Sequence, residues 1–126
     1  MIIDVVRLSE KAKNQLLTLK RRTGVLQWNV LCRWALLASL AEPTVPPHEE
    51  IVTDSNVEMS WKTFAGTLDE AITAVVLQRA HDDDVSPEQI HQFFKIHLHR
   101  GIAYLLNAAP DLRGLLAMTG VEGKPS

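Results

Sequence analysis

The stretch WNVLCRWALLASLA, residues 28–41, decides the fold. At helical spacing it is apolar nearly all round, with Val30, Leu31, Cys32, Trp34, Ala35, Leu36, Leu37, Ala38 and Leu40 against a single charge, Arg33. A helix without a polar face is covered on most of its sides. In a chain of 126 residues that makes it a central helix, or one shared with a second subunit. It is shorter than the ~20 apolar residues a membrane span needs, so no membrane partner is expected. Glu42-Pro43 ends it, and Pro46-Pro47 continue into an irregular loop.

Upstream of this helix, Ile2 to Leu8 is β-branched and apolar and reads as one short strand. Ser9 is an N-cap, because its hydroxyl accepts from the free amides of a first turn. A helix runs from Glu10 to about Arg22, and Thr23-Gly24 stops it through a left-handed glycine. Downstream, residues 42–66 form an irregular loop with short strands expected at Ile51-Val52 and Val57–Phe64. Thr67 and Glu70 make a Thr-x-x-Glu capping box for a third helix, Leu68 to about Ala80. Asp82–Asp84 breaks it. Ser86-Pro87-Glu88 opens a fourth helix that reaches about Asn107, with Ile90, Phe94, His97, Leu98, Gly101 and Leu105 on one stripe. Pro110 ends that helix, a short one over Asp111–Met118 follows, and residues 120–126 form a frayed tail. The expected fold is mainly α: one helical bundle of four to five helices over residues 1–126, opened by a short N-terminal strand.

Charge is the second feature. The net formal charge is −2, which argues against a polycation. The sum conceals a division: residues 1–41 carry +5, and the remainder carries −7. On a wheel of 100° per residue, Leu8, Ala12, Leu16 and Leu19 form the buried arc of the first helix. Lys11 and Arg22 line one flank, Lys13 and Lys20 the other, with Arg21 further round. Only Glu10 opposes them locally. Cations arranged this way fit phosphate contact, which gives sequence-independent affinity with steep salt dependence. A solvated helix whose last turn complements the macrodipole explains the same pattern. A strand followed by two helices is also similar to the opening of ribbon–helix–helix proteins, which place paired strands in the major groove. Ile3, Asp4, Val5 and Val6 offer few polar side chains for base edges, so phosphate contact is favoured over sequence readout.

Several chemistries are disfavoured. One cysteine excludes an internal disulfide and a multi-cysteine metal site, and a reducing cytoplasm is the expected compartment. The N-terminus shows no signal-peptide pattern. No P-loop, glycine-rich dinucleotide turn or Gly-x-Ser-x-Gly occurs, so no catalytic residue, cofactor or metal ligand is assigned. Cys32 reads as a buried structural thiol. Arg33 must snorkel, pair or sit at an interface. Of the five histidines, His91 and His99 share a face with Lys95, which would repel a metal ion, and His97 falls on the apolar stripe as a core histidine. His81 with Asp82–Asp84 raises the alternative of a metal-dependent DNA nicking enzyme, although consecutive acids diverge in direction.

The runs RLSEKAKNQLLTLKRRTG (7–24), WNVLCRWAL (28–36), AEPTVPP (41–47) and HRGIAYL (99–105) resemble the DndE family, the small subunit of the bacterial DNA sulfur-modification system. That system replaces a non-bridging phosphate oxygen with sulfur (phosphorothioation). The resemblance implies a helical, non-catalytic protein that binds double-stranded DNA. It also implies a homo-oligomer, a tetramer being one form. Its partners would be the other subunits of the machinery: a cysteine desulfurase, an iron–sulfur protein and an ATPase-like subunit. Lys11, Lys13, Lys20, Arg21 and Arg22 lie inside the matching run and are the DNA-contact candidates, chosen by helix geometry. The chemistry of backbone exchange adds the expectation that nicked duplex is preferred. The remaining alternative is an assembly adaptor whose basic patch meets an acidic protein rather than DNA.

Overall fold

A computed structural model describes residues 3–108. The chain order is β1 (Val5–Arg7), α1 (Glu10–Thr23), α2 (Trp28–Ala41), β2 (Glu58–Ser60), α3 (Trp61–Ala65), α4 (Asp69–Asp82) and α5 (Ile90–Ala108). Short 3-10 turns, Gly66–Leu68 and Pro87–Gln89, lead into α4 and α5. The mainly helical expectation holds.

The centre is the pair α2 and α5. Leu31, Cys32, Ala35, Leu36 and Ser39 of α2 are buried against Phe94, His97, Leu98, Gly101, Ile102 and Leu105 of α5. A Cβ placed on Gly101 would lie 1.7 Å from the carbonyl oxygen of Ala35, so only glycine permits this approach. Four residues further along α2, Ser39 Oγ meets His97 Nδ1 at 2.7 Å, four residues back along α5. These two contacts fix an antiparallel register, with small residue on small residue at Ala35 and Gly101. Packing this close maximises dispersion contact between the backbones, and it offsets the ~1 kcal/mol that glycine costs inside a helix.

α1 packs on α5 through Ala12, Leu16 and Leu19. Its ends form as expected: Ser9 Oγ accepts from the Ala12 amide at 3.0 Å, and Gly24 takes φ 77°. The strand is shorter than Ile2–Leu8. Val5–Arg7 pairs antiparallel with β2 of the same chain, Val6 opposite Met59. The strand–helix–helix order of a ribbon protein is therefore present, with the strand partner supplied from within the chain.

Three local expectations are corrected. Val57–Phe64 is not one strand, because only Glu58–Ser60 is extended and Trp61 begins α3. The Ser60 hydroxyl accepts from the Thr63 amide at 3.1 Å, and Trp61, Phe64 and Ala65 are buried at helical spacing. Trp61 and Phe64 then pack with Phe94 at ring separations of 5.3 to 5.7 Å. Ile51-Val52 forms no strand; Ile51 is half-buried and Val52 exposed. The Thr67–Glu70 capping box is not made. A box needs an extended cap residue, but the chain enters α4 from a 3-10 turn through Leu68 at φ −96°, ψ 15°. Asp69 instead accepts the Trp61 indole N–H at 2.6 Å. The helix expected over Asp111–Met118, the stop at Pro110 and the tail lie outside the described residues.

Gly101→Ala is expected to lower stability by about 2–3 kcal/mol, the cost of overpacking a close helix crossing. Gly24→Ala, with no neighbour within 4 Å but a left-handed backbone, should cost only ~1 kcal/mol. Urea denaturation of both variants checks the order; equal losses would refute the close-crossing account.

Candidate nucleic-acid interface

α1 presents its cations because its buried arc is fully used. With Ala12, Leu16 and Leu19 turned to α5, Lys11, Arg21 and Arg22 stand exposed and Lys13 and Lys20 half-buried. None of the five is in an ion pair among the described residues, whereas Arg7 meets Glu58 and Arg79 meets Asp83. The helix is fixed at its N-terminal end by long-range contacts. Asp54 Oδ1 accepts the Glu10 amide at 2.8 Å, and His99 Nε2 accepts the Ser9 amide at 3.1 Å. Acidic groups thus gather at the start of α1, and Lys20, Arg21 and Arg22 gather at its end.

The two flanks differ. Lys13 Nζ donates to Asn56 Oδ1 at 2.8 Å, and Lys20 Nζ stands 4.3 Å from the centroid of the Trp28 ring. Both contacts leave the positive charge unneutralised. Beside Lys13 and Trp28 lies an open cleft whose lining includes Asn29, Asn56, Thr63 and Glu58, the last paired with Arg7. Helix α2 starts at this cleft, with Gln27 as an N-cap that makes no side-chain hydrogen bond. Its first amides therefore add positive potential beside Lys13 and Lys20. Lys11 lies on the other flank, where it borders a concavity shared with Gln15, Pro47, Glu49 and His99. The structure therefore joins Lys13 and Lys20 on one flank, clusters Lys20, Arg21 and Arg22 at one end, and leaves Lys11 apart beside an acid. Sequence reasoning missed Trp28, Asn29 and Asn56. Their approach depends on the turn after Gly24 and the path of the 42–57 loop, which no helical period reports.

The other residues singled out have structural employment. Asp83 accepts from Arg79 Nε at 2.8 Å, and Asp82 accepts from Gln78 Nε2 at 2.9 Å. Asp84 takes a left-handed backbone, φ 58°. Among the described residues no three His, Cys, Asp or Glu side chains converge on a metal position. Helix α4, which carries this acidic end, packs against α2, α3 and α5 rather than against α1. Arg33 donates to the Phe64 carbonyl at 2.8 Å, the pairing outcome of the three considered for it. Cys32 is fully buried, and desolvation pushes its thiol up to about 12. His97 is also buried, and desolvation with the charge of Arg100 lowers its pKa to about 4. Its Nε2 has no hydrogen-bond partner among the described residues, so it is a core histidine satisfied on one side only. His99 is held neutral: Nδ1 contacts the Lys95 carbonyl at 2.8 Å while Nε2 accepts from Ser9, and burial lowers its pKa.

A small helical protein that projects an unpaired basic helix from an apolar two-helix centre is the class that this fold and surface define. The family model described as "DndE: DNA sulphur modification protein DndE" matches residues 5–111. The chain belongs to that family. Its fold is similar to the crystal structure of DndE from Escherichia coli B7A, described as involved in DNA phosphorothioation modification. That match has TM-score 0.69 and 22 % identity, covering 83 % of this chain and 98 % of the other. A glycine-to-lysine mutant of DndE, described as involved in DNA phosphorothioation, matches with TM-score 0.66 and 20 % identity over 84 % of this chain and 99 % of that one. No curated protein matches the sequence. No helix among the described residues is long and apolar enough to cross a membrane.

Two checks follow from the buried groups. Cys32 should resist thiol reagents at pH 8 and react only after denaturation; prompt native labelling would contradict its burial. His97 and His99 have pKa values below those of the unfolded chain, so their contribution is complete above about pH 6.5. As pH falls toward 4 the unfolded chain binds more protons, and stability should fall with it. For His97 the shift from 6.5 to about 4 corresponds to on the order of 3 kcal/mol. Urea midpoints that stay constant between pH 7.5 and 4.5 would refute this.

Proposed function

We propose that this protein is a non-catalytic, DNA-binding subunit of the phosphorothioation machinery, meeting the duplex backbone with α1. Lys13, Lys20, Arg21 and Arg22 are the main phosphate contacts, and Lys11 is a peripheral one. The observation that carries the reading is the set of unpaired cations on α1 in a chain whose net charge is −2. Family membership supplies the setting, DNA sulphur modification. The acidic end of α4 is held away from α1 by the α2–α5 pair, which lets one face approach DNA without repulsion from the other. A cytoplasmic location follows from that substrate.

The protein acts as a homo-oligomer on this reading. Val30, Trp34, Leu37 and Ala41 recur at spacings of four, three and four along the side of α2 turned away from its buried set, and Leu37 and Ala41 are exposed. A second copy of the chain covers that stripe. Assembly then multiplies one modest basic patch, and nicked duplex, whose strands splay more readily, is the preferred form. The remaining subunits of the machinery supply sulfur and energy.

Lys13→Gln and Lys20→Gln should weaken binding to all sequences alike and lower the slope of log K against log salt by about 0.9 per lost contact. An unchanged slope would show that DNA meets another surface. Equal affinity for intact and nicked duplexes of one length would remove the nick preference alone. Leu37→Glu should reduce the mass in solution; a monomeric wild type would remove the oligomer.

A further inference from the structure

Helix α4 is apolar on more than one side. Ile72, Val76 and Ala80 are buried in the core. Two further rows run along the sides turned to solvent. One is Leu68, Ala71, Val75 and, beyond Gln78, Asp82; the other is Glu70, Ala74 and Leu77. Ala71 and Ala74 are exposed, and Leu68, Val75 and Leu77 keep 46, 42 and 46 % of their surface in solvent. A helix on the outside of a small protein ordinarily has one apolar stripe and an opposite polar face. The outer face of α4 has instead an apolar middle about 14 Å long, from Leu68 to Leu77.

Acids close both ends of this face. Between residues 69 and 88 the acids are Asp69, Glu70, Asp82, Asp83, Asp84 and Glu88, against one arginine, Arg79, and no lysine. Arg79 is taken up by Asp83 and by the carbonyls of Leu40 and Glu42. Glu70 at one end, and Asp82 and Asp84 at the other, are exposed and unpaired with lysine or arginine among the described residues. They stand about 18 Å apart along the helix. This arrangement selects what covers the apolar middle. DNA and anionic lipid are repelled by it. A second copy laid twofold along the same face brings acid against acid whichever way the helices run, which disfavours that pairing. Helix α1 of a second copy has cations at both ends, but its apolar arc is already buried on α5.

We propose that the outer face of α4 is a docking surface for a helix of a different protein, one with an apolar stripe two to three turns long and lysine or arginine at both ends. The aliphatic side chains of that helix lie between the two rows of α4. Its end cations meet Glu70 on one side and Asp82 and Asp84 on the other. The apolar middle supplies the contact area, and the acids select the partner and fix its register. Because α4 packs on α2, α3 and α5, this surface is separate from the basic helix α1, and the two can be occupied at once.

The probe is a stapled helical peptide of about four turns, with a leucine stripe and lysines at both ends, added to the isotope-labelled full chain. A second peptide carries glutamates in place of the lysines. The lysine-ended peptide should shift the amides of residues 70–78 and leave those of α1 in place, and the glutamate-ended peptide should not bind. Val75→Glu should weaken binding about tenfold or more. Glu70→Gln combined with Asp82→Asn should flatten its salt dependence. All three positions are exposed, so the variants keep the fold. In the free chain, Val75→Cys should make the protein react promptly with maleimide, since Cys32 is buried. Slow labelling of V75C would mean that residues 109–126 or a second copy already cover the face, and would overturn the proposal. Peptide shifts confined to α1, equal binding of both peptides, or binding of neither would overturn it as well.

Discussion

Everything else in this structure depends on the approach of α2 to α5 at Ala35 and Gly101. A side chain at Gly101 would overlap the opposing carbonyl, so the two helices meet backbone to backbone. From that contact the register of the whole pair follows: Ser39 is brought to His97, and α5 presents its outer side to α1. The seam buries Cys32 and His97 beside this contact. Burial there pushes the Cys32 thiol up and, together with the charges of Arg100 and Arg79, keeps His97 neutral. The same seam places a polar pair one turn from the tightest contact. The packing and the burial of that polar pair are therefore set by one geometry.

The basic surface is a consequence of that arrangement. α1 lies on α5 through a narrow apolar arc, and Ser9 is gripped by His99 of α5 while Asp54 holds the Glu10 amide. Pinned at its N-terminal end, the helix directs Lys20, Arg21 and Arg22 outward at the other. Two carboxylates close to α1 are engaged elsewhere: Glu58 on Arg7 and Asp54 on a backbone amide. A chain with a slight negative total charge thereby keeps one positive face, and that face is the part of the molecule suited to a polyanion.

Much of this was legible in residues 9–41. The Ser9 cap, the Gly24 stop and the leucine arc of α1 are local signals that tertiary structure does not override, and the apolar girth of residues 28–41 announces a central helix. The failures lie where two patterns compete. Met59 and Trp61 alternate like a strand, but Ser60 caps a helix in which Trp61 and Phe64 share a face. Thr67 and Glu70 have the spacing of a capping box, but a helix entered through a 3-10 turn has no extended residue for the box to use. At the surface, the cations were readable because helical angle depends on sequence alone. Trp28, Asn29 and Asn56 were not, because they reach Lys13 and Lys20 through loop paths. Arg79 and Arg100 were likewise hidden, since their partners are carbonyls more than thirty residues away in the chain.

The central claim is that α1 meets the phosphate backbone of DNA. It is tested most directly by the affinity of the full chain for short duplexes of unrelated sequence across a salt series, with the oligomeric mass measured in the same buffers. The account predicts a linear fall of log K with log salt, with the same slope for every sequence and a magnitude of several units per assembly. Absence of binding at low salt, or an affinity indifferent to salt, would contradict it.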